Sequence, residues 1–193
     1  ERRIAIYQLQ DLRDYVRYME ANPSEVNTLY RELLIGVTSF FRDREVFDEL
    51  EAQHLPRLFE RANNQEVRFW GAGCSTGEEA YSLAMLSREV LEQMGKRLDV
   101  KIFATDIFPP ALERAARGVY EEESLANVAP ELIERYFEPV NGRHQVKPTL
   151  RRLVVFSTHN LLKDPPFTRM DLISCRNLLI YFNDTAQRKV VSL

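Results

Sequence analysis

Val67-Arg68-Phe69-Trp70-Gly71-Ala72-Gly73-Cys74-Ser75-Thr76-Gly77-Glu78-Glu79 changes character twice in one short run. Val67 to Trp70 reads as a buried strand, and Gly71 to Gly77 is glycine-rich. From Glu78 to about Met94 the period becomes helical, with Ala80, Leu83, Ala84, Leu91 and Met94 on one face. Val100 to Thr105 is a second apolar strand, ending at Asp106. A short helix follows with Ala111, Leu112, Ala115 and Ala116. Strand–helix–strand–helix is the signature of a doubly wound α/β sheet. Ligands of such sheets bind outside the carboxyl ends of the strands, so the glycine-rich loop is expected to touch a cofactor.

Outward from this unit, the parallel sheet resumes at Leu153 to Phe156 and again at Asp171 to Cys175. Between Gly118 and Arg152 the rhythm breaks. Pro130 opens a short helix, and Asn141-Gly142 is a hairpin turn signal between two short β segments. A small antiparallel β-subdomain inserted at about 118–152 is expected. A last helix starts near Asp184, and the chain stops before the final strands such a sheet carries. The expected sheet therefore lacks its C-terminal strands.

Residues 1–62 read as a helical N-terminal domain with a linker, and residues 63–193 as the α/β domain. Asn22-Pro23-Ser24 is a helix-start signal. Val26, Leu29, Tyr30, Leu33, Leu34 and Val37 then form one apolar stripe. Asp43 is expected to cap the next helix, which carries Phe47, Leu50, Leu55 and Leu58 and a kink at Pro56. His54 falls on that apolar stripe and reads as structural.

The 193 residues carry a formal charge of -3, which argues against a nucleic-acid surface. Nothing resembles a membrane span or a signal peptide, and no membrane insertion is expected. Cys74 and Cys175 have neither zinc nor disulfide-framework spacing. The three histidines are scattered, and no metal is expected. A reducing cytoplasm is the expected compartment.

Several residues fall at the expected cofactor edge. Gly71, Gly73 and Gly77 let the backbone approach a ligand. Asp106, ending the second strand, suits the two ribose hydroxyls, or caps the helix from Pro109, or does both. Glu78 suits the dipole of the helix start. Glu79 there would repel a phosphate and welcome an ammonium, which favours S-adenosylmethionine over a dinucleotide. Asn160 and Asn177 follow the two later strands and read as cofactor contacts on adjacent strand ends. Turn chemistry is the alternative for each.

These segments resemble a known family. Thr38-Ser39-Phe40-Phe41-Arg42-Asp43, Cys74-Ser75-Thr76-Gly77-Glu78-Glu79-Ala80-Tyr81-Ser82, Ala104-Thr105-Asp106-Ile107, Asn160-Leu161-Leu162 and Cys175-Arg176-Asn177-Leu178-Leu179-Ile180-Tyr181-Phe182 stand in the order of CheR-type chemoreceptor glutamate methyltransferases. Leu34 to Thr38 and Leu161 to Phe167 resemble the CheR modules of CheB–CheR fusions. The resemblance implies a Rossmann-like S-adenosylmethionine methyltransferase sheet. It implies methyl transfer to receptor glutamates, with S-adenosylhomocysteine as product. It places Thr38, Ser39 and Arg42 at the cofactor and reaction centre, Glu79 on the amino group and Asp106 on the ribose. Asn160 and Leu161 flank the adenine, and Asn177 and Leu178 lie near the sulfonium. Arg42 and Tyr181 flank the transferred methyl group. Against these roles stand a helix-start salt bridge to Asp43 or Glu45 for Arg42, and a core position for Tyr181.

Two departures from the family pattern stand out. Gly36 replaces an asparagine that many members carry, removing one cofactor contact. The hairpin at Asn141-Gly142 is short, as in members that do not dock a receptor's C-terminal pentapeptide.

Three rival readings remain. One is a CheR-like binding module without turnover. Another is an adenine methyltransferase, because Asp164-Pro165-Pro166-Phe167 resembles a D-P-P-Y motif. A nicotinamide-dependent oxidoreductase is disfavoured by the glycine spacing and Glu79.

Overall fold

Proline at a helix start loses no hydrogen bond, because the first turn's amides have no partner within the helix. That rule is seen at Pro23 in a computed structural model that describes residues 2–33, 38–62 and 66–192. Contacts divide the chain into two compact units, Glu1–Val37 and Thr38–Leu193. The first holds α1 (Arg2–Ile6), α2 (Leu12–Ala21) and α3 (Pro23–Leu33). Asp11 caps α2 by accepting from the Asp14 amide at 2.9 Å. Of the apolar stripe on α3, Val26 is exposed, contrary to expectation. Leu34, Gly36 and Val37 lie outside the described residues, as do the side chains of Tyr30 and Leu33.

A buried carboxylate organises the first unit. Glu25, 3% exposed, accepts from Arg3 Nε at 2.8 Å, Tyr7 Oη at 2.6 Å and Tyr15 Oη at 2.7 Å, and also from Arg3 Nη2. The Arg3 hydrogen bond chiefly, with those from the two tyrosines, outweighs burial and holds the carboxyl down at about 2. A depressed folded pKa stabilises fully above the unfolded value of ~4.3 and is lost as pH falls through the folded one. An NMR titration of the Glu25 carboxyl carbon should therefore give a midpoint near 2. Glu25→Gln should speed hydrogen exchange in 12–33 at neutral pH and leave 66–192 unchanged. A midpoint at the ordinary value would refute the assignment.

The second unit begins with a turn at 38–43, then α4 (Arg44–Glu49), a wide π turn (Leu50–His54) and α5 (Leu55–Arg61). Two expectations fail here. Asp43 stands at the N-cap position, but with φ 56° and no side-chain capping hydrogen bond. Its carboxylate is taken by Arg176. The helix accommodates Pro56 by the π turn before it, because i→i+5 bonding relieves the clash a proline ring makes in a regular helix. His54 is exposed in that turn, not part of the core. Of the expected stripe, Phe47 and Leu55 are buried and Leu50 and Leu58 partly so, while Phe59 is buried beside them.

β1 (Val67–Ala72), α6 (Glu78–Gln93), β2 (Val100–Asp106) and α7 (Pro109–Arg117) form the expected strand–helix repeat. An insertion follows. It holds β3 (Val119–Tyr120), α8 (Pro130–Tyr136), β4 (Phe137–Val140), β5 (Arg143–Val146) and α9 (Pro148–Arg151). Its three strands pair antiparallel in the order β3-β5-β4. Asn141 and Gly142 both have positive φ, as a two-residue hairpin turn demands. The main sheet resumes with β6 (Val154–Thr158) and β7 (Leu172–Ser174), and α10 (Asp184–Val191) follows. Asn183 caps α10 through the Ala186 amide at 2.9 Å.

The main sheet is parallel, ordered β6-β2-β1-β7. One face packs Phe69, Ile102 and Ala104 against Leu83, Ala84 and Val90 of α6. The other packs Trp70, Ala72 and Leu161 with Phe103, Phe167 and Leu178. Each large side chain so buried contributes about 1.5–3 kcal/mol. This order corrects one expectation. Asn160 and Asn177 follow β6 and β7, which are the two outer strands of the four and not neighbours. The chain crosses from one edge to the other, so sequential strands here are not adjacent ones. Among the described residues no helix is long and apolar enough to cross a membrane.

Candidate active site

The carboxyl ends of β1, β2 and β7 bring three loops together. The Gly73 and Cys74 amides donate to the Thr105 carbonyl at 2.7 and 2.9 Å, which curls the first loop over β2. Asp106 then binds that loop from below. Its Oδ2 accepts from the Ser75 amide at 2.8 Å and its Oδ1 from the Phe108 amide at 2.9 Å. It does not cap α7. The cap position is Phe108, which makes no side-chain capping hydrogen bond, so Asp106 fixes the approach to the helix instead.

The glycines differ in purpose. A Cβ on Gly71 would meet nothing within 4 Å, so the space above it is open. A Cβ on Gly73 would lie 2.8 Å from Leu178 Cδ2, so this glycine admits the β7 loop. Gly77, at φ 95°, stands in a packed corner. A Cβ there would lie 2.8 Å from Ala115 Cβ, 3.1 Å from Tyr120 Oη and 3.2 Å from Phe156 Cζ, so packing alone demands glycine at this position.

Glu78 and Glu79 face different ways from the first turn of α6. Glu78 is buried, with the Thr76 hydroxyl 2.7–2.8 Å from its two oxygens. Burial pushes its carboxyl up, against the pull of Thr76. It is therefore not a solvated partner of the helix dipole. Glu79 turns toward the strand ends. Its Oε1 accepts from Ser174 Oγ at 2.6 Å and its Oε2 from Arg176 Nη1 at 3.3 Å.

Phe40 and Phe41 are buried and anchor the 38–43 turn. The Phe41 amide donates to Ser82 Oγ at 3.0 Å, and Ser82 Oγ donates to the Glu78 carbonyl at 2.7 Å. Thr38, Ser39 and Arg42 are half-buried on that turn. The Arg42 carbonyl accepts from Arg176 Nη2 at 2.6 Å. The same nitrogen donates to Asp43 Oδ2 at 2.7 Å, so the acid beside Arg42 pairs with Arg176.

The remaining expected residues follow the ends of β6 and β7. Asn160 Oδ1 accepts from the Leu162 amide at 2.9 Å, which is turn chemistry. Leu161 is buried against Trp70 and Ala72. Asn177 has φ 56°, and its neighbour Leu178 closes on Gly73. Tyr181 is 58% exposed, so it is not a core tyrosine. Phe167 of the D-P-P-F stretch packs at a tilt to Trp70 and to Phe103, with ring centroids 5.2 and 5.4 Å away. That half-buried ring packs against the cluster of Trp70, Ala72 and Leu161, which speaks against its serving as a base platform.

The donor set suits a cationic, phosphate-free cofactor. Two carboxylates, Glu79 and Asp106, stand at the strand ends, with open space above Gly71 between β2 and β7. The Cys74 thiol is pushed well up by burial and then by Asp106, so it stays protonated and is no nucleophile. Ser174 and Arg176 were not singled out from the sequence. The one available signal was a cation between Cys175 and Asn177, directly after a strand end.

A family model described as "CheR methyltransferase, SAM binding domain" matches residues 36–193. The chain belongs to this family. S-adenosylmethionine is accordingly the methyl donor of this CheR domain. An "Uncharacterized 104.1 kDa protein" of Rhodobacter capsulatus is 44% identical over 99% of this chain and 20% of its own length. A "Chemotaxis protein methyltransferase" of Borreliella burgdorferi is 34% identical over 93% of this chain and 66% of that protein. The protein of the same description in Escherichia coli K12 is 36% identical over 98% of this chain and 66% of its own. The chain thus spans a fifth of the first relative and just under two-thirds of the other two. The family match begins at Gly36, which lies outside the described residues.

Proposed function

We propose that this CheR domain transfers the methyl group of S-adenosylmethionine to glutamate side chains of a chemoreceptor-like protein, giving glutamyl methyl esters and S-adenosylhomocysteine. The observation that carries the proposal is the juxtaposition at the end of β7. There Glu79, suited to an ammonium, is linked through Arg176 to the turn that bears Arg42. In this reading Glu79 takes the amino group of the cofactor and Asp106 its ribose. Asn160 and Leu161 lie along the adenine. Gly71, Gly73, Thr38, Ser39, Asn177 and Leu178 line the remainder.

The bound cofactor supplies an electrophilic methyl group on a sulfonium. A glutamate acceptor, with a pKa of ~4.3, is already ionised at neutral pH, so no general base is needed. The work left to the protein is alignment and exclusion of water. Arg42 presents a planar fork to the carboxylate. Its benefit is orientation more than charge, since the carboxylate loses charge as the ester forms. Tyr181, exposed beside the β7 loop, flanks the transferred methyl group together with Arg42 in this reading. The two-residue turn of the β4–β5 hairpin supports docking independent of a receptor pentapeptide.

The test is transfer of labelled methyl to the cytoplasmic helices of a receptor, read as base-labile label that glutamate-to-alanine receptor variants lose. Arg42→Ala should lower kcat/KM for the receptor by about 10²-fold. Saturable binding of S-adenosylhomocysteine with no label transferred to any receptor would leave a binding module instead.

A further inference from the structure

Ser174 and Arg176 lie two residues apart at the end of β7, and the proposed cofactor and substrate contacts use neither. Ser174 Oγ donates to Glu79 Oε1 at 2.6 Å. Glu79 stands on a flexible two-methylene stem, and this bond selects one orientation of its carboxylate. Arg176 grips something else. Nη2 reaches the Arg42 carbonyl at 2.6 Å and Asp43 Oδ2 at 2.7 Å, while Nη1 reaches Glu79 only at 3.3 Å. The guanidinium also lies over the Phe47 ring, 5.2 Å from its centroid.

The gripped turn needs support. Phe41 and Asp43 both have positive φ, 50° and 56°, on either side of Arg42. Non-glycine residues persist there only when their surroundings over-determine them. Ser82 Oγ holds one side of this turn, at the Phe41 amide. Arg176 holds the other.

We propose that Ser174 and Arg176 are positioning residues with separate duties, Ser174 orienting Glu79 for the cofactor and Arg176 fixing the turn that aims Arg42. The proposal rests on the roles given above to Glu79 and Arg42. A planar guanidinium is required for the second duty, because one nitrogen must serve two acceptors while the plane lies on Phe47.

The experiment uses the full chain with Ser174→Ala, Arg176→Gln and Arg176→Lys, each checked for an unchanged melting temperature. Three quantities are read: S-adenosylhomocysteine affinity by calorimetry, kcat on a receptor fragment, and hydrogen exchange of peptides within 38–47. Ser174→Ala should weaken the cofactor product about tenfold, the size expected for one hydrogen bond to a charged group, and leave kcat within about twofold. Arg176→Gln should lower kcat about 30-fold by misaligning Arg42, speed exchange in 38–47, and shift affinity by no more than about threefold. Arg176→Lys should fall between wild type and Arg176→Gln.

Both variants shifting affinity and kcat together would overturn the division of duties. So would unchanged exchange in Arg176→Gln. If the wild type binds the product and never turns over, the methyl-transfer reading fails. The affinity and exchange arms still decide the positioning roles.

Discussion

Asp106→Ala should abolish measurable binding of S-adenosylhomocysteine, with affinity down at least about 10³-fold. Two losses combine. The ribose hydroxyls lose a charged acceptor, and each such bond contributes about 1.5–3 kcal/mol. The Ser75 and Phe108 amides also lose their partner, so both loops that frame the site loosen together. Asp106→Asn separates the two effects. It keeps one acceptor oxygen and the shape, so one loop amide stays satisfied while the charge on the ribose side is gone. Its affinity should fall between wild type and Asp106→Ala. Calorimetry with parallel melting curves makes the comparison. Affinity within fivefold of wild type in a folded Asp106→Ala would sink the ribose assignment and with it the proposed cofactor pose.

Gly77→Ala should destabilise the second unit by about 2–5 kcal/mol, a sum of left-handed backbone cost and overpacking. The backbone there has φ 95°, and the new Cβ would lie 2.8 Å from Ala115 Cβ and 3.1 Å from Tyr120 Oη. Neither neighbour yields easily. Ala115 is on α7 and fully buried, and Tyr120 is held by its bond to the Thr76 carbonyl at 2.7 Å. For a domain stable by about 5–15 kcal/mol, that is a large fraction of the total. Urea unfolding measures it. Ala115→Gly in the same chain should recover only the overlap with Ala115, less the cost of a glycine within α7, and not the backbone portion. Gly71→Ala is the control, since its Cβ enters open space. It should leave unfolding nearly unchanged and weaken the cofactor product. A Gly77→Ala chain as stable as wild type would show that α7 and β3 give way at this corner.

Much of the fold was legible before the structure. The strand–helix repeat from Val67 to Ala116 follows from a period that switches between strand-like and helical, and a period is local information. The inserted hairpin was legible because Asn141-Gly142 demands positive φ at both positions. Pro23 and Pro130 marked helix starts for the same kind of local reason. The family was legible in the same way, because its motifs are runs of adjacent residues.

What failed depended on partners distant in sequence. Asp43 looked like a cap, but Arg176, 133 residues away, takes its carboxylate. The cap offered as an alternative role for Asp106 does not form either, because its Oδ2 holds the Ser75 amide, far away in sequence, and its Oδ1 the nearby Phe108 amide. Gly77 read only as a ligand glycine, and the packing demand made on it by Ala115, Tyr120 and Phe156 was not visible. Asn160 and Asn177 were placed on adjacent strands, and the sheet order sets them on opposite edges.

The sequence by itself determined which elements form and which family they make, because helix period, turn residues and contiguous motifs act over a few positions. Only the tertiary structure decided which side chain holds which, that Arg176 joins Glu79 to the Arg42 turn and that Gly77 serves packing. Those outcomes depend on strand order and on how closely loops approach, and no short stretch of chain encodes either.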